Sequence, residues 1–402
     1  MDLDKLKTIA DVDVGGKRVL VRADLNVPVA DGKVSDAMRL ERLLPGLKDL
    51  SARGARIVVI SHFGRPKGAP DPELSLRRVA AKLGDLLGAP VQFVADCVGT
   101  ETEAAVAALK PGEIAVLENL RFYAGEENDD AEFAAKLARC GDIFVNDAFS
   151  AAHRAHASTV GLTRELPSYA GPLMIEEINA LRSVLDNPAR PTAAVIGGAK
   201  VSSKIPVLKH LLSKVDKLII GGGMANTFLL SHDVVIGKSL AEPDFVETAR
   251  EIMAAAKDRG CAVVLPNDAV IAREFRAGTA HAVVPTLAVP ADAMILDVGP
   301  KSVAHMKDVL KECKTLLWNG PLGAFEIPPF GEGTFALAHE AAALTKAGAL
   351  VSVAGGGDTV AALNAAGVTD DFTYVSTAGG AFLEWLEGRE LPGIAALIGA
   401  QR

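Results

Sequence analysis

From one end of the sequence to the other, short β-branched runs alternate with longer amphipathic stretches rich in Ala and Leu. A chain that makes a helix between successive strands brings each strand back parallel to the last, so the alternation predicts an α/β class built on mostly parallel sheets. Candidate strands are 18–22, 56–60, 114–117 and 143–145 in the first half, and 192–196, 217–220, 262–265, 294–296, 315–318 and 350–353 in the second. Between the halves a helical pattern through 181–185 runs into Asn187-Pro188-Ala189-Arg190-Pro191, where two prolines end the helix and favour extended backbone. That places a hinge at 183–191, a first domain at 1–182 and a second at 192–388. The 402 residues suffice, at roughly 100–200 per domain, for two separate cores.

Composition narrows the function classes. Lys and Arg number 42 against 50 Asp and Glu, a net charge of −8, and 49% of residues are hydrophobic. Such a chain folds, and its acidic balance argues against non-specific attraction to nucleic acid or anionic membranes. An anionic ligand must therefore be held by local basic clusters. Cys97, Cys140, Cys261 and Cys313 are far apart with no CxxC spacing, which speaks against a disulfide scaffold and a structural zinc site. The opening MDLDKLK lacks the basic start of a secretory signal, and no apolar run approaches the ~18 residues that span a bilayer. The expected compartment is the cytoplasm.

Ligands of open α/β sheets sit beyond the carboxyl ends of the strands, and the two halves differ there. First-half strands end in VRADLNVP, ISHFGRP, LENLRF and VNDAFSAAHRAH; second-half strands end in VIGGAK, IIGGGM, LDVGP, LWNGPLG, VAGGGDT and STAGG. Arginine forks grip carboxylates and phosphates, so Arg22, Arg39, Arg65, Arg121 and Arg154 suit a small, multiply anionic acid. Glycine between strand and helix lets backbone N–H groups reach an anion, so the second half suits phosphates.

Each constellation has a plainer reading. Glycines 221–223 and 355–357 also serve tight turns, and Asp358 either caps the helix that follows or holds Mg²⁺ against phosphate oxygens. Lys200 and Lys204, four apart on a helix starting near Ser202 or Ser203, are solvated surface unless the upstream Gly197-Gly198 turns them into the crevice. Asp24 and Asn26 shape an Asx turn or bind substrate hydroxyls, and Glu326 is a loop charge or a ribose partner. His62, His153 and His156 lack companions at zinc spacing. No Walker P-loop, complete dinucleotide fingerprint, GxSxG elbow or protein-kinase motif is present.

Seven blocks occur in order: Val21-Arg22-Ala23-Asp24-Leu25-Asn26-Val27-Pro28; Ser61-His62-Phe63-Gly64-Arg65-Pro66; Glu118-Asn119-Leu120-Arg121-Phe122; Asn146-Asp147-Ala148-Phe149 with His153-Arg154-Ala155-His156; Gly197-Gly198-Ala199-Lys200-Val201; Trp318-Asn319-Gly320-Pro321; and Gly355-Gly356-Gly357-Asp358-Thr359. Together, across nearly the whole chain, they resemble the phosphoglycerate kinase family. The resemblance implies two Rossmann-like domains, with a C-terminal tail, 389–402, packing back on the first. It implies a monomeric glycolytic kinase that moves a phosphoryl group between 1,3-bisphosphoglycerate and ADP, giving 3-phosphoglycerate and ATP with Mg²⁺. By the family's pattern Asp24, Asn26, Arg39, His62, Phe63, Gly64, Arg65, Arg121 and Arg154 would bind the acid. Lys200, Lys204, Gly222, Gly299, Asn319, Glu326, Gly356, Gly357, Asp358 and Thr359 would line the nucleotide side, with Asp358 on the metal. Ser150-Ala151, Ser203 and Ala378 depart from the commonest pattern, and Ala378 is expected to restrict backbone approach to a ligand.

Both possible nucleophiles, a carboxylate and a phosphate oxygen, are ionised at neutral pH, so no catalytic base is required and catalysis falls to positioning and charge stabilisation. Arg39, Lys200, Lys204 and the helix start at Gly379 and Gly380 are the expected catalytic groups, acting after hinge closure brings the two substrates into line. A different small-acid kinase or ligase would turn over another acid; a non-catalytic nucleotide-binding protein would bind ADP without turnover.

Overall fold

A computed structural model describes residues 2–400. The chain divides into two compact units, one formed by residues up to Ile178 and from Glu390 onward, the other by Asn179–Arg389. The division falls inside the helix Pro172–Leu185, ahead of Pro188 and Pro191.

The first unit carries strands β1 (Arg18–Arg22), β2 (Val29–Ala30), β3 (Lys33–Val34), β4 (Arg56–Ile60), β5 (Val91–Val94), β6 (Ile114–Leu117), β7 (Ile143–Asn146) and β8 (Ser168–Ala170). Six of them form one sheet in the order β5-β6-β4-β1-β7-β8, and every pairing in it is parallel. Val19, Leu20 and Val21 of β1 are all buried although they point alternately to opposite faces, which is the signature of a sheet covered on both sides. The helix Met38–Ala52 lays Leu40, Leu43, Leu47 and Leu50 against this core, an i, i+3, i+7, i+10 stripe, and carries Arg39 in its first turn. In the terminal segment Leu391, Ile394 and Leu397 are buried, and Gly393 N donates to Ala152 O at 2.9 Å.

The second unit carries β9 (Thr192–Ile196), β10 (Lys217–Ile220), β11 (Ala262–Val264), β12 (Asp268–Ala272), β13 (His281–Pro285), β14 (Met294–Val298), β15 (Thr315–Asn319), β16 (Val351–Gly355) and β17 (Tyr374–Ser376). Its all-parallel sheet runs β11-β10-β9-β15-β16-β17. In both sheets the order reverses direction beside the first strand of the unit, between β1 and β7 and between β9 and β15. A crevice opens at such a switch point because the adjoining connections leave to opposite sides. The run at 294–296, expected among the parallel strands, instead belongs to an antiparallel sheet, β13-β12-β14. Between β11 and β14 the chain makes only one short 3₁₀ turn, so it lacks the helical crossover that parallel pairing requires.

Asp147, just past β7, ties this strand to the helix Pro172–Leu185: its Oδ1 accepts from Leu173 N at 2.7 Å and Met174 N at 3.1 Å. Burial pushes its carboxyl up to about 7, while the two N–H groups pull the other way. Because the folded value lies above the ordinary 3.8, the native state keeps a proton that the unfolded chain releases, so stability falls as pH rises from about 4 to 7. Asp147→Asn keeps an acceptor oxygen and removes the titration. Urea unfolding should find the variant gaining on the wild type between pH 5 and pH 8; a constant difference would show that this carboxyl does not titrate there.

Candidate active site

At the switch point of the first unit the ends of β1, β4, β6 and β7 deliver polar groups that lock one another in place. Ser61 Oγ accepts from Leu25 N at 3.0 Å and donates to Ala23 O at 2.8 Å, which joins the ends of β1 and β4. Asp24 makes the Asx turn expected of it, accepting from Asn26 N at 3.0 Å, and also pairs with Arg39 at 3.2 Å. Arg39 Nη1 donates to Asn26 O at 2.6 Å, and Asn26 Oδ1 accepts from Gly64 N at 3.0 Å. Asn119 takes Phe63 N and Arg121 N on its Oδ1, both at 3.1 Å, and Arg121 Nη1 donates to Gly64 O at 2.8 Å. Arg65 is exposed in the same loop.

His62 reports how tightly the cations converge. Burial, and then the charges of Arg22, Arg121, Arg154 and His156, hold its pKa well below the ordinary 6.5. Four basic groups around one half-buried imidazole create a field that an anion relieves. A cavity of about 780 Å³ beside Phe93 and Tyr123 contains none of the acid-binding residues expected from the sequence.

In the second unit a cavity of about 560 Å³ is lined by Gly198, Gly222, Gly223, Leu240, Glu326 and Asp358, among others. Its floor is backbone packed against backbone. A Cβ on Gly197 would lie 1.9 Å from Pro321 O, and one on Gly222, whose φ is +69°, would lie 2.6 Å from Gly198 O. Lys204 Nζ donates to Asn319 Oδ1, while Asn319 Nδ2 donates to Gly355 O at 2.7 Å. Thr359 Oγ1 accepts from Gly320 N at 2.7 Å. Burial lowers the pKa of Lys204, against the attraction of Asp358 and Glu387. Asp358 lies in the first turn of the helix Gly357–Ala366, is exposed, and makes no side-chain cap; the cap position is Gly356.

Several expectations change in detail. Lys200 and Lys204 precede a helix rather than ride on one: Ile205–Leu211 starts at Ile205, with Pro206 in its first turn. Ser202 does not start that helix, because Glu242 takes its hydroxyl at 2.5 Å and its N–H at 2.9 Å. Asn319 and Thr359 do not line the cavity; both are buried beneath it and hold its turns. Gly299 caps the helix Pro300–Glu312 next to the lining residue Val298. Gly379, with φ +54°, precedes the helix Gly380–Leu386, and Ala378 is buried without a left-handed φ, so the alanine fits its place. Ser150, read only as a departure, donates to Asp24 Oδ2 at 2.6 Å. Glu126 and Ser158, which no motif marked, form a buried pair behind Arg22. Among the described residues no group of three or more His, Cys, Asp or Glu is placed to hold a metal by itself.

The profile of the phosphoglycerate kinase family matches residues 9–389. A phosphoglycerate kinase of Agrobacterium fabrum is 59% identical over 396 residues, 98% of this chain and 99% of its own length. The chain belongs to the phosphoglycerate kinase family. The solved phosphoglycerate kinase of Coxiella burnetii superposes with a TM-score of 0.92 at 40% identity, covering 99% of this chain and 100% of that one. That of Pyrococcus horikoshii does so with 0.82 at 30% identity, covering 98% and 99%. The two-unit α/β architecture is the family's, and the chain is a phosphotransferase that catalyses the glycolytic phosphoryl transfer of phosphoglycerate kinases.

Gly222→Ala tests the backbone floor. A left-handed φ costs an L-residue about 1–2 kcal/mol, and the methyl also meets Gly198 O. Calorimetric titration should give an ADP dissociation constant raised about tenfold or more; an unchanged constant would mean that this turn does not form the nucleotide site.

Proposed function

We propose that the units divide the reaction between them: the first binds 3-phosphoglycerate or 1,3-bisphosphoglycerate, the second binds ADP or ATP, and a hinge closure brings donor and acceptor into line. The convergence of Arg22, Arg121 and Arg154 on His62 carries the reading, since a basic cluster of this density in a chain of net charge −8 calls for a multiply anionic ligand. Asp24, Asn26, Arg39, His62, Arg65, Arg121 and Arg154 would hold the acid, with Phe63 and Gly64 shaping the loop. Lys200, Lys204, Gly222, Gly356, Gly357 and Glu326 would hold the nucleotide, with Asn319, Thr359 and Gly299 fixing the turns around it.

Asp358 suits Mg²⁺. Its carboxylate is exposed at the cavity and is not spent on capping its helix, and this metal commonly takes one or two carboxylates together with phosphate oxygens and waters. When bound with the nucleotide, it would neutralise phosphate charge. Lys204 is held by Asn319 at the end of β15, Lys200 lies exposed close to Gly198 in sequence, and Arg39 is braced by Asp24 and Asn26. We propose that these three cations and the N–H groups near Gly379 and Gly380 stabilise the charge of the transferring group, with no proton to remove. No helix among the described residues is long and apolar enough to cross a membrane. On the family's pattern we propose a cytoplasmic monomer.

Removing one such charge-stabilising contact typically lowers turnover by ~10²–10³. Lys200→Ala should therefore reduce kcat by about that factor with little change in either KM; a change confined to KM would reassign Lys200 to ground-state binding. Small-angle scattering should record compaction when both substrates are present, and an unaltered radius of gyration in the ternary complex would refute closure.

A further inference from the structure

Behind the acid site lies a fully buried charged chain of contacts that the transfer reaction does not use directly. Arg22 sends three donors in three directions: Nε to Ser158 Oγ at 3.0 Å, Nη1 to Ala23 O at 2.6 Å, and Nη2 toward His62 Nδ1 at 2.9 Å. Ser158 in turn gives its hydroxyl proton to Glu126 Oε1 at 2.5 Å and its N–H to Oε2 at 3.0 Å. Arg22, Ser158 and Glu126 are each wholly inaccessible to solvent. A buried guanidinium and carboxylate joined through one serine hold each other in a single geometry, because any other arrangement leaves a charge unpaired in a medium that cannot hydrate it.

A guanidinium has donors only. At 2.9 Å the His62 Nδ1 must accept, since a proton there would set two donors against each other. The single ring proton of neutral His62 is then on Nε2. We infer that Arg22, backed by Ser158 and Glu126, is a positioning residue that fixes His62 as a neutral ring with its proton on Nε2, an obligatory donor to an oxygen of the bound acid. The surroundings agree: Arg22 at the end of β1, Arg121 after β6, and Arg154 and His156 after β7 all oppose a charge on this ring, and the counter-charge, Glu126, sits behind Arg22 and 3.7 Å from His156. Burial works against the charge of Glu126, but His156, Arg22 and Ser158 hold its carboxyl below its ordinary value, so the chain stays ionised. Held in this way, His62 recognises an acceptor, such as a phosphate or carboxylate oxygen, and does so without itself titrating. The inference rests on reading the first unit as the acid site.

Long-range ¹H–¹⁵N NMR of the uniformly labelled full-length protein without substrate tests the tautomer, with the His62 signal assigned by its loss in His62→Gln. Between about pH 5.5 and 8, where an ordinary imidazole titrates, Nδ1 should stay unprotonated and Nε2 protonated; a proton on Nδ1, or titration near the ordinary value, overturns the inference. Arg22→Met should let both tautomers exchange and raise KM for 3-phosphoglycerate by about ten- to hundredfold, the loss of one charge-assisted hydrogen bond, with a smaller change in kcat. In His62→Gln, whose amide donates near the Nε2 position with no tautomer to choose, the same substitution should raise KM less than about threefold. An equal rise in both backgrounds also overturns the inference. If Arg22→Met does not fold, the spectrum of the unaltered protein decides. A fixed Nε2 proton together with an unchanged KM in His62→Ala would sink the acid-site reading and leave the tautomer assignment standing.

Discussion

A parallel strand covered by helices on both sides has no room for a charged side chain along its length, because such a group would lose its hydration and gain no partner. Accordingly no charged residue lies in the interior of a strand of either parallel sheet, and polar residues close several strands: Arg22 closing β1, Asn146 closing β7, Asn319 closing β15. Many of the candidate site residues thus gather where the parallel strands end. The reversal of strand order beside β1 and beside β9 opens the gap into which those ends project.

The two edges handle negative charge differently. In the first unit the work falls to whole charges, which repel one another when no ligand is present; Asp24, Glu126 and Glu127 offset part of that repulsion by pairing with Arg39, Arg22 and Arg121. An anion bound at such a cluster would stabilise it. In the second unit the donors are largely backbone groups, already ordered by close glycine packing around Gly197, Gly222 and Gly320. Their partial charges carry no mutual repulsion of comparable size, and Lys204, held by Asn319, and the exposed Lys200 add full positive charge. The polar network of the first unit tolerates little change of side chain, and the glycine turns of the second little change of backbone.

Much of this was legible in the sequence. β1, β4, β6, β9 and β10 coincide with their β-branched runs, because strands buried on both faces leave the densest compositional signal. Short or edge strands such as β8 and β17, three residues each, leave almost none. The antiparallel placement of β14 depended on the absence of a helix upstream, which local composition near 294 does not reveal. Motif residues were visible because their types are chemically distinctive. Their supports were not: Ser150 looks like any loop serine, and Glu126 and Ser158 lie 32 residues apart, so only the fold brings them together behind Arg22. Lys204 was visible as a cation, but its tether through Asn319 to Gly355 is a property of neighbouring strand ends.

The seating of the terminal segment beside Ala152 has a consequence for the order of assembly. A ribosome releases residues from the amino end, and domains generally condense as soon as their chain is available. Here the first unit, although begun earlier, draws three of its buried side chains, Leu391, Ile394 and Leu397, from a stretch made after the second unit. The second unit extends only to Arg389, so the half translated later has its full complement of residues earlier. The first unit therefore keeps part of its apolar surface uncovered until the whole second unit has been translated.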